Sequence, residues 1–402
     1  MTGTVIIVGA GQCGASAAET LRDLGFDGAV VLIGEEEEPP YERPPLSKQY
    51  LQGKRDPAGL LVHPREWYAG NGIDLQTGVI VTAVDCAART VTLSSGDRLR
   101  YDRLLLATGG RPRTLPGDHT RVRYLRTRPD ADRLREELAA ARHVVVAGAG
   151  FIGAEAAASA RSLGVDVTML EMLDVPLARV LGEQIGAVYA ELHRAHGVRL
   201  LTGEGLAAID ESPEGTVRVR TTRGRDIHCD LVLAGVGIMP CSELAQAAGI
   251  RSRNGVLVDE FCRTSAPAVY AAGDVACHFH PLYGEHIRVE HYDNAIRQGV
   301  AAARNMLGDH VPYDEPHWFW SDQYDVNLQY VGYCPQWDRL IVRGSLADGR
   351  FSAFYLADGV LRAALAVNRP KDVLRAKKLI RGRKPVDADL LADQNVDLRS
   401  LT

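Results

Sequence analysis

Paired cysteines are missing from this sequence. Its seven cysteines, Cys13, Cys86, Cys229, Cys241, Cys262, Cys277 and Cys334, are widely scattered, and no two stand in a Cys-x-x-Cys or Cys-x4-Cys relation. The simplest redox-disulfide and zinc arrangements are thereby excluded. So is a recognisable ligand set for an iron–sulfur cluster of the chain's own. Each cysteine reads as a small buried hydrophobe. Long apolar runs are missing too. No stretch approaches the roughly 18 residues of a membrane span, and no basic start followed by an apolar core marks a secretory leader. A soluble, cytoplasmic protein without membrane contact is expected. Strong charge is the third absence: a formal net charge of −5 over 402 residues argues against a protein built to hold nucleic acid. What is present is 46% hydrophobic residues, enough for substantial cores in two or three domains.

One pattern occurs twice. Residues 4–36 read TVIIVGAGQCGASAAETLRDLGFDGAVVLIGEE, and residues 143–172 read HVVVAGAGFIGAEAAASARSLGVDVTMLEM. Each copy opens with a short β-branched run and continues with Gly-x-Gly-x-x-Gly. An alanine-rich helical stretch follows, closing near Gly25 or Gly164. A second β-branched run then leads to an acid, Glu35 or Glu171. The three glycines have distinct tasks. The first permits the tight strand-to-helix turn, the second lets the backbone approach a pyrophosphate, and the third lets helix and strand pack closely. The phosphates sit at the helix N-terminus, where unpaired N–H groups favour negative charge. The distal acid accepts hydrogen bonds from a ribose diol. Each copy is therefore read as a dinucleotide site, through Gly9, Gly11 and Gly14 in the first and Gly148, Gly150 and Gly153 in the second. A carboxylate at Glu171 welcomes a ribose 2′-hydroxyl and repels a 2′-phosphate. The residues that follow, Met172, Leu173 and Asp174, offer no cation, so NADH is favoured over NADPH.

Two nucleotide sites in one chain suggest a flavin beside a nicotinamide. Residues 101–110, YDRLLLATGG, form an apolar strand ending in Ala-Thr-Gly. Residues 269–275, VYAAGDV, form a short strand ending in Gly-Asp. Residues 231–240, LVLAGVGIMP, match the strand and loop that close a nicotinamide domain.

With these segments in order, the sequence resembles the oxygenase-coupled NADH–ferredoxin reductases, FAD enzymes that serve Rieske dioxygenases and bacterial haem monooxygenases. The resemblance covers nearly the whole chain. It is most specific in PYERPPLSKQYL (40–51), LLLATGGRPR (104–113), YLRT (124–127), the second glycine unit, and WFWSDQYDVNLQYVG (318–332). It implies an α/β, glutathione-reductase-like fold with two Rossmann-like dinucleotide-binding domains and a C-terminal α+β domain. The FAD domain would be discontinuous, at 1–108 and 241–315. The NADH domain would occupy 109–240, and the C-terminal interface domain 316–402.

The same resemblance assigns roles. Gly9, Gly11, Cys13 and Gly14 would lie under the FAD pyrophosphate, and Glu35 would hold the adenosine ribose. Arg43 would meet the FAD phosphates, Val81 would touch the adenine through its backbone, and Arg126 would be a further FAD contact. Asp274 would hold the ribityl chain, and the backbone at Tyr292 would approach the flavin pyrimidine. Lys48 would sit near flavin N5, Glu155 would face the nicotinamide, and Trp320 would stack close to both rings. NADH would pass hydride from its C4 to flavin N5, and electrons would leave one at a time for an iron–sulfur ferredoxin that feeds an oxygenase. Cys13 departs from the small residue that relatives commonly carry, and residues 289–295, VEHYDNA, fall in a stretch that varies among them.

Some side chains need weighing. Lys48 alone could be a solvated charge after the Pro-Pro turn, Glu155 an ordinary helix residue, and Trp320 a core aromatic. His278, His280, His286 and His291 lack the spacing of a zinc set, and no metal is expected. Arg369, Lys371, Arg375, Lys377, Lys378, Arg381, Arg383 and Lys384 crowd one stretch, with Asp372 the only acid among them. This is either a solvated helix face or a docking surface for an acidic ferredoxin, where complementary charge speeds encounter. It lacks the aromatic interleaving of a nucleic-acid patch. Two rival functions remain open. One is an NADH oxidase, peroxidase or disulfide reductase, which would need a redox cysteine, with Cys13 the one candidate. The other is a slow flavin-binding redox sensor, like the apoptosis-inducing flavoproteins.

Overall fold

The computed structural model describes residues 3–212 and 215–401. The chain divides into two compact units, Met1–Glu42, Ala58–Arg111 and Met239–Trp318 forming one, and Arg43–Pro57, Pro112–Ile238 and Phe319–Thr402 the other.

The first unit is built on a five-stranded parallel sheet. Its strand order is Val269–Ala271, Arg103–Leu106, Thr4–Val8, Ala29–Ile33 and Ile73–Gln76. Strands buried on both faces read as continuous apolar runs rather than alternations. Val5, Ile6, Ile7 and Val8 accordingly lie buried in succession. Between the first two strands in the chain runs the helix Gln12–Asp23. It packs against the helix Tyr292–Met306, closely enough that a Cβ on Gly299 would lie 2.5 Å from the carbonyl oxygen of Cys13. Gly25, at φ +73°, ends the first helix in the left-handed conformation that glycine adopts at little cost. A three-stranded antiparallel sheet (Val81–Asp85, Thr90–Leu93, Arg98–Arg100) and a four-stranded one containing Gly255–Val258 and Ala276–His280 complete this unit.

The second unit repeats the plan. Its parallel sheet has the order Arg199–Thr202, Asp166–Glu171, His143–Ala147, Leu231–Ala234 and Val122–Arg123, and the helix Phe151–Ser162 follows the central strand. The helix Arg128–Ala140 begins with a reciprocal cap: the Thr127 hydroxyl accepts from the Asp130 N–H, and the Asp130 carboxylate accepts from the Thr127 N–H. This unit also holds an antiparallel sheet of five strands, ordered Trp318–Gln323, Val326–Gly332, Val360–Val367, Arg350–Ala357 and Arg339–Ser345. The helix Pro370–Gly382 packs on the strand Val360–Val367. The α/β class, the two parallel-sheet nucleotide folds and the C-terminal antiparallel sheet agree with the sequence reading. None of the helices in the described residues is long and apolar enough to cross a membrane.

Candidate active site

In the first unit the glycine loop leaves the strand Thr4–Val8 at Gly9, whose φ is +116°. A Cβ there would stand 2.1 Å from the carbonyl oxygen of Ala107, and one on Gly14 would stand 2.0 Å from that of Gly9. Neither position admits a side chain. Gly11 is different: a Cβ there would meet nothing within 4 Å. It is the N-cap of the helix and supplies no side-chain hydrogen bond, so the first-turn N–H groups have no side-chain cap from it. Open space at the middle glycine, with close contacts at the outer two, suits a loop that receives a pyrophosphate. The second unit has the same geometry. A Cβ on Gly148 would lie 2.5 Å from the Gly235 carbonyl oxygen and one on Gly153 2.1 Å from that of Gly148, while Gly150 opens onto empty space.

Glu171 closes the second loop. Its carboxylate accepts the N–H of Ala149, inside the glycine signature, and that of Leu173, both at 2.9 Å. Met172, Leu173, Asp174, Arg179, Gly182 and Trp337 line an adjoining cleft of about 550 Å³. Arg179 is a cation that the residues next to Glu171 did not disclose. In the first unit, Glu35 is exposed just past the strand Ala29–Ile33, and Val81 begins the strand Val81–Asp85.

Asp274 follows the strand Val269–Ala271, and the turn brings Gly273 against Cys13: a Cβ on Gly273 would lie 3.1 Å from that of Cys13. Gln298 fixes this turn by accepting the Gly273 N–H at 2.8 Å. Burial pushes the Cys13 thiol well up, helped by Cys262 and Asp274, so Cys13 is held as an unreactive thiol. All seven cysteines are free. Tyr292 opens its helix and donates its hydroxyl to Glu42 at 3.0 Å. The preceding His291 is held neutral, lowered to about 4 by burial against an opposing pull from Asp274.

The second unit also brings together Arg43 and Arg126, the Arg43 guanidinium donating to the Arg126 carbonyl at 2.7 Å. The most concentrated polar constellation is nearby in sequence. Lys48 and Glu155 form an ion pair at 2.6 Å with side chains 9% and 3% exposed. The same carboxylate oxygen accepts the Ser47 hydroxyl at 2.5 Å, and the other accepts the Ser321 hydroxyl at 2.7 Å. Lys48 also donates to the Pro44 carbonyl at 3.1 Å. The turn is pinned to the glycine-loop helix by Ser159, which donates to the Ser47 carbonyl at 2.7 Å. Two buried charges are tolerable only when their remaining donors and acceptors are met, and here three donors converge on one carboxylate.

Sequence reasoning singled out Lys48 and Glu155 but not Ser47 or Ser321, although both lie inside the quoted motifs. The strand Trp318–Gln323 alternates between half-buried and buried positions. This puts Ser321, together with Phe319 and Gln323, on the buried side, and Trp320 on the opposite face. Phe319 packs edge-on against Phe151, at the start of the glycine-loop helix, with ring centroids 4.9 Å apart.

Lys371, Lys378 and Arg381 on the helix Pro370–Gly382, and Arg383 and Lys384 just after it, are exposed. Arg369 and Arg375 instead pair with Asp372, at 2.9 Å and 3.6 Å. Asp372 is itself 5% exposed, so the one acid of the basic run is largely withdrawn from the surface.

Comparison with known proteins agrees with this geometry. Residues 3–299 match the pyridine nucleotide-disulphide oxidoreductase family, and residues 318–402 match the reductase C-terminal family. The chain is 41% identical to putidaredoxin reductase CamA of Pseudomonas putida, over 99% of this chain and 96% of that protein. It is 42% identical to the ferredoxin–NAD(+) reductase component of the anthranilate 1,2-dioxygenase system of Burkholderia cepacia, over 98% of each. The solved covalent putidaredoxin reductase–putidaredoxin complex superposes with a TM-score of 0.95 at 40% identity, covering 99% of this chain and 98% of that one. Two glycine cradles, a buried ion pair on the second and a C-terminal antiparallel sheet thus identify the chain as an oxidoreductase of the pyridine nucleotide-disulphide family, belonging with the ferredoxin reductases of oxygenase systems.

Proposed function

We propose that this protein is a cytoplasmic FAD-dependent NADH:ferredoxin oxidoreductase that supplies electrons, through a small iron–sulfur ferredoxin, to a monooxygenase or dioxygenase. The observation that carries the reading is the doubled cradle: two glycine loops in one chain, each open only at its middle glycine.

In this reading the FAD domain comprises 1–108 and 241–315, the NADH domain 109–240, and the interface domain 316–402. Gly9, Gly11, Cys13, Gly14, Glu35, Arg43, Val81, Arg126, Asp274 and Tyr292 hold FAD, with Lys48 beside its ring. Gly148, Gly150, Gly153 and Glu171 hold NADH. Bound FAD supplies the step that a protein side chain cannot, taking electrons as a hydride and releasing them singly to an iron–sulfur centre. The chain's own contribution is alignment and electrostatics. Lys48 keeps a positive charge in a water-poor place, Glu155 balances it and orients its ammonium, and Trp320 offers a flat apolar face to the reacting rings. Serine hydroxyls fix the carboxylate without adding charge, so the pair stays poised as reactants bind.

The basic helix around Arg375, Lys377, Lys378 and Arg381 is assigned to an acidic ferredoxin. Along residues 369–384 eight lysines and arginines stand with one acid, Asp372, an excess of positive charge that favours steering of a negatively charged partner. The absence of any Cys-x-x-Cys or Cys-x4-Cys pair and the buried Cys13, its thiol pushed up by burial, speak against a disulfide reductase or a thiol-dependent peroxidase.

The test is anaerobic stopped-flow of the yellow protein, mixed first with NADH and then with ferredoxins from the same source. Rapid bleaching followed by ferredoxin reduction is expected, and replacing Lys371 and Lys378 by Glu should slow the second phase roughly tenfold at low salt. Rapid bleaching with no transfer to any ferredoxin, but fast reoxidation by oxygen, would replace the proposal with an oxidase.

A further inference from the structure

The strand Ala276–His280 carries His278 and His280 two residues apart, on one face of its sheet. His317, just before the strand Trp318–Gln323, joins them. All three belong to the first unit. They are 1%, 0% and 2% exposed, with ring centroids 5.1 Å, 5.5 Å and 4.9 Å apart. One nitrogen from each lies within 4.8 Å of the others.

Hydrogen bonding makes this cluster unusual. Neither ring nitrogen of His317 has a hydrogen-bond partner among the described residues, and those of His278 have none of good geometry there, although the Ile287 backbone lies close enough to act on the ring. Buried polar atoms are nearly always paired, and an orphan calls for an explanation such as a missing ion. His280 is already oriented. Its Nε2 lies 3.1 Å from the Glu315 carbonyl oxygen, and its Nδ1 accepts the Leu282 N–H at 3.2 Å. An outer hydrogen bond to a backbone carbonyl is the one that metal-bound histidines ordinarily make; it leaves the lone pair on Nδ1, so coordination through that atom would replace the Leu282 N–H contact.

We propose that His278, His280 and His317 form a three-histidine site for a borderline divalent metal ion, zinc foremost, apart from the glycine loops. Three imidazoles without thiolate or hard carboxylate ligands suit zinc and its neighbours rather than magnesium or calcium. Zinc–nitrogen bonds of about 2.0–2.1 Å at tetrahedral angles need nitrogens about 3.4 Å apart, so no pair, all lying within 4.8 Å, has to close by more than about 1.4 Å as the rings turn. The aromatic rings of Tyr283 and Tyr313 flank the cluster, with centroids 4.4 Å from His280 and 5.4 Å from His278 respectively. A water would take the fourth position. The sequence hid the site because its third ligand stands far along the chain from the histidines around residue 280.

The test uses the full-length, untagged flavoprotein, stripped with a strong chelator. It is titrated with zinc chloride against a chromophoric chelator, and separately with cobalt chloride. The expected result is uptake of one zinc ion per chain and the intense visible bands of tetrahedral cobalt. His278→Phe and His317→Phe should each weaken zinc binding at least roughly 100-fold, while His286→Ala should not. No uptake in competition with the chelator, a pale octahedral cobalt spectrum, or unchanged binding in both phenylalanine variants would overturn the site and leave an aromatic packing cluster. Should the variants fail to fold, the cobalt spectrum of the unaltered protein decides the matter alone.

Discussion

Replacing Glu155 by Leu removes the acceptor shared by Ser47, Lys48 and Ser321. The Lys48 ammonium would keep only neutral partners such as the Pro44 carbonyl while remaining almost fully buried. Breaking one side of a buried ion pair costs about 3–5 kcal/mol. For a folding unit of roughly 200 residues, each kcal/mol lowers the midpoint by about 2–4 °C, which gives a fall of roughly 6–20 °C. Lys48→Met should fall comparably, since it strands the carboxylate. The double variant Lys48→Met with Glu155→Leu places two apolar side chains where the charges met, and such replacements are often neutral. It should recover most of the loss, giving a coupling of at least about 2 kcal/mol in the double-mutant cycle. The assay is thermal unfolding by circular dichroism at matched protein and cofactor concentrations, because bound ligands raise the midpoint by themselves. Two units need not melt together, so the transition that responds is the one to follow. Flavin bleaching by NADH is then measured on the same proteins. The double variant should be stable but slow, which separates the pair's structural effect from its proposed role. Single variants melting within about 2 °C of the parent, or a double variant whose loss is the sum of the singles, would refute the reasoning.

Three further outcomes are expected. Glu171→Gln removes the charge that clasps the second glycine loop while Arg179 remains in the adjoining cleft; the ratio of kcat/KM for NADPH to that for NADH should rise about tenfold, equivalent to about 1.4 kcal/mol, and an unchanged ratio would remove Glu171 from cofactor selection. His193 is fully buried between Gln323 and Tyr324 and is lowered from 6.5 to about 4, by burial first, against the Gln323 hydrogen bond and aided by His196. The unfolded chain therefore binds the extra proton between these values, so this residue's contribution is constant above pH 6.5 and falls by about 3 kcal/mol as pH drops toward 4; His193→Gln should lessen the acid-side slope, which His291 shares, and an unaltered slope would show that His193 does not contribute to it. Cys13, buried and held as a thiol, should resist alkylation by iodoacetamide until the protein unfolds, and stoichiometric labelling of native protein at Cys13 would reopen the oxidase reading.

Much of this was legible because each glycine in the repeated signature obeys its own physical demand. Gly9 and Gly148 need a backbone conformation that other residues avoid, Gly14 and Gly153 sit against a carbonyl oxygen, and Gly11 and Gly150 face open space. Such demands leave a local, ordered trace in the sequence. The environment of Glu155 leaves none, since its donors Ser47 and Ser321 stand 108 and 166 residues away, and only tertiary packing selects them among the chain's serines. The grouping of residues 43–57 with the second unit was equally hidden, because Pro44-Pro45 and Pro57 at its ends mark turns without saying which unit the segment between them joins. Charge counts misread the basic run in a smaller way: Arg369 and Arg375 share Asp372, so part of the apparent patch is an internal ion network.

The two parallel sheets also differ in when they can be finished. Every strand of the second sheet has been made once Leu231–Ala234 is complete. The first begins at Thr4, yet its outer strand Val269–Ala271 pairs with Arg103–Leu106, so finishing that edge requires the longest loop closure in either sheet. A chain emerging from the ribosome therefore holds all the strands of its second parallel sheet before those of its first, and the order in which the two sheets are begun is the reverse of the order in which they can be completed.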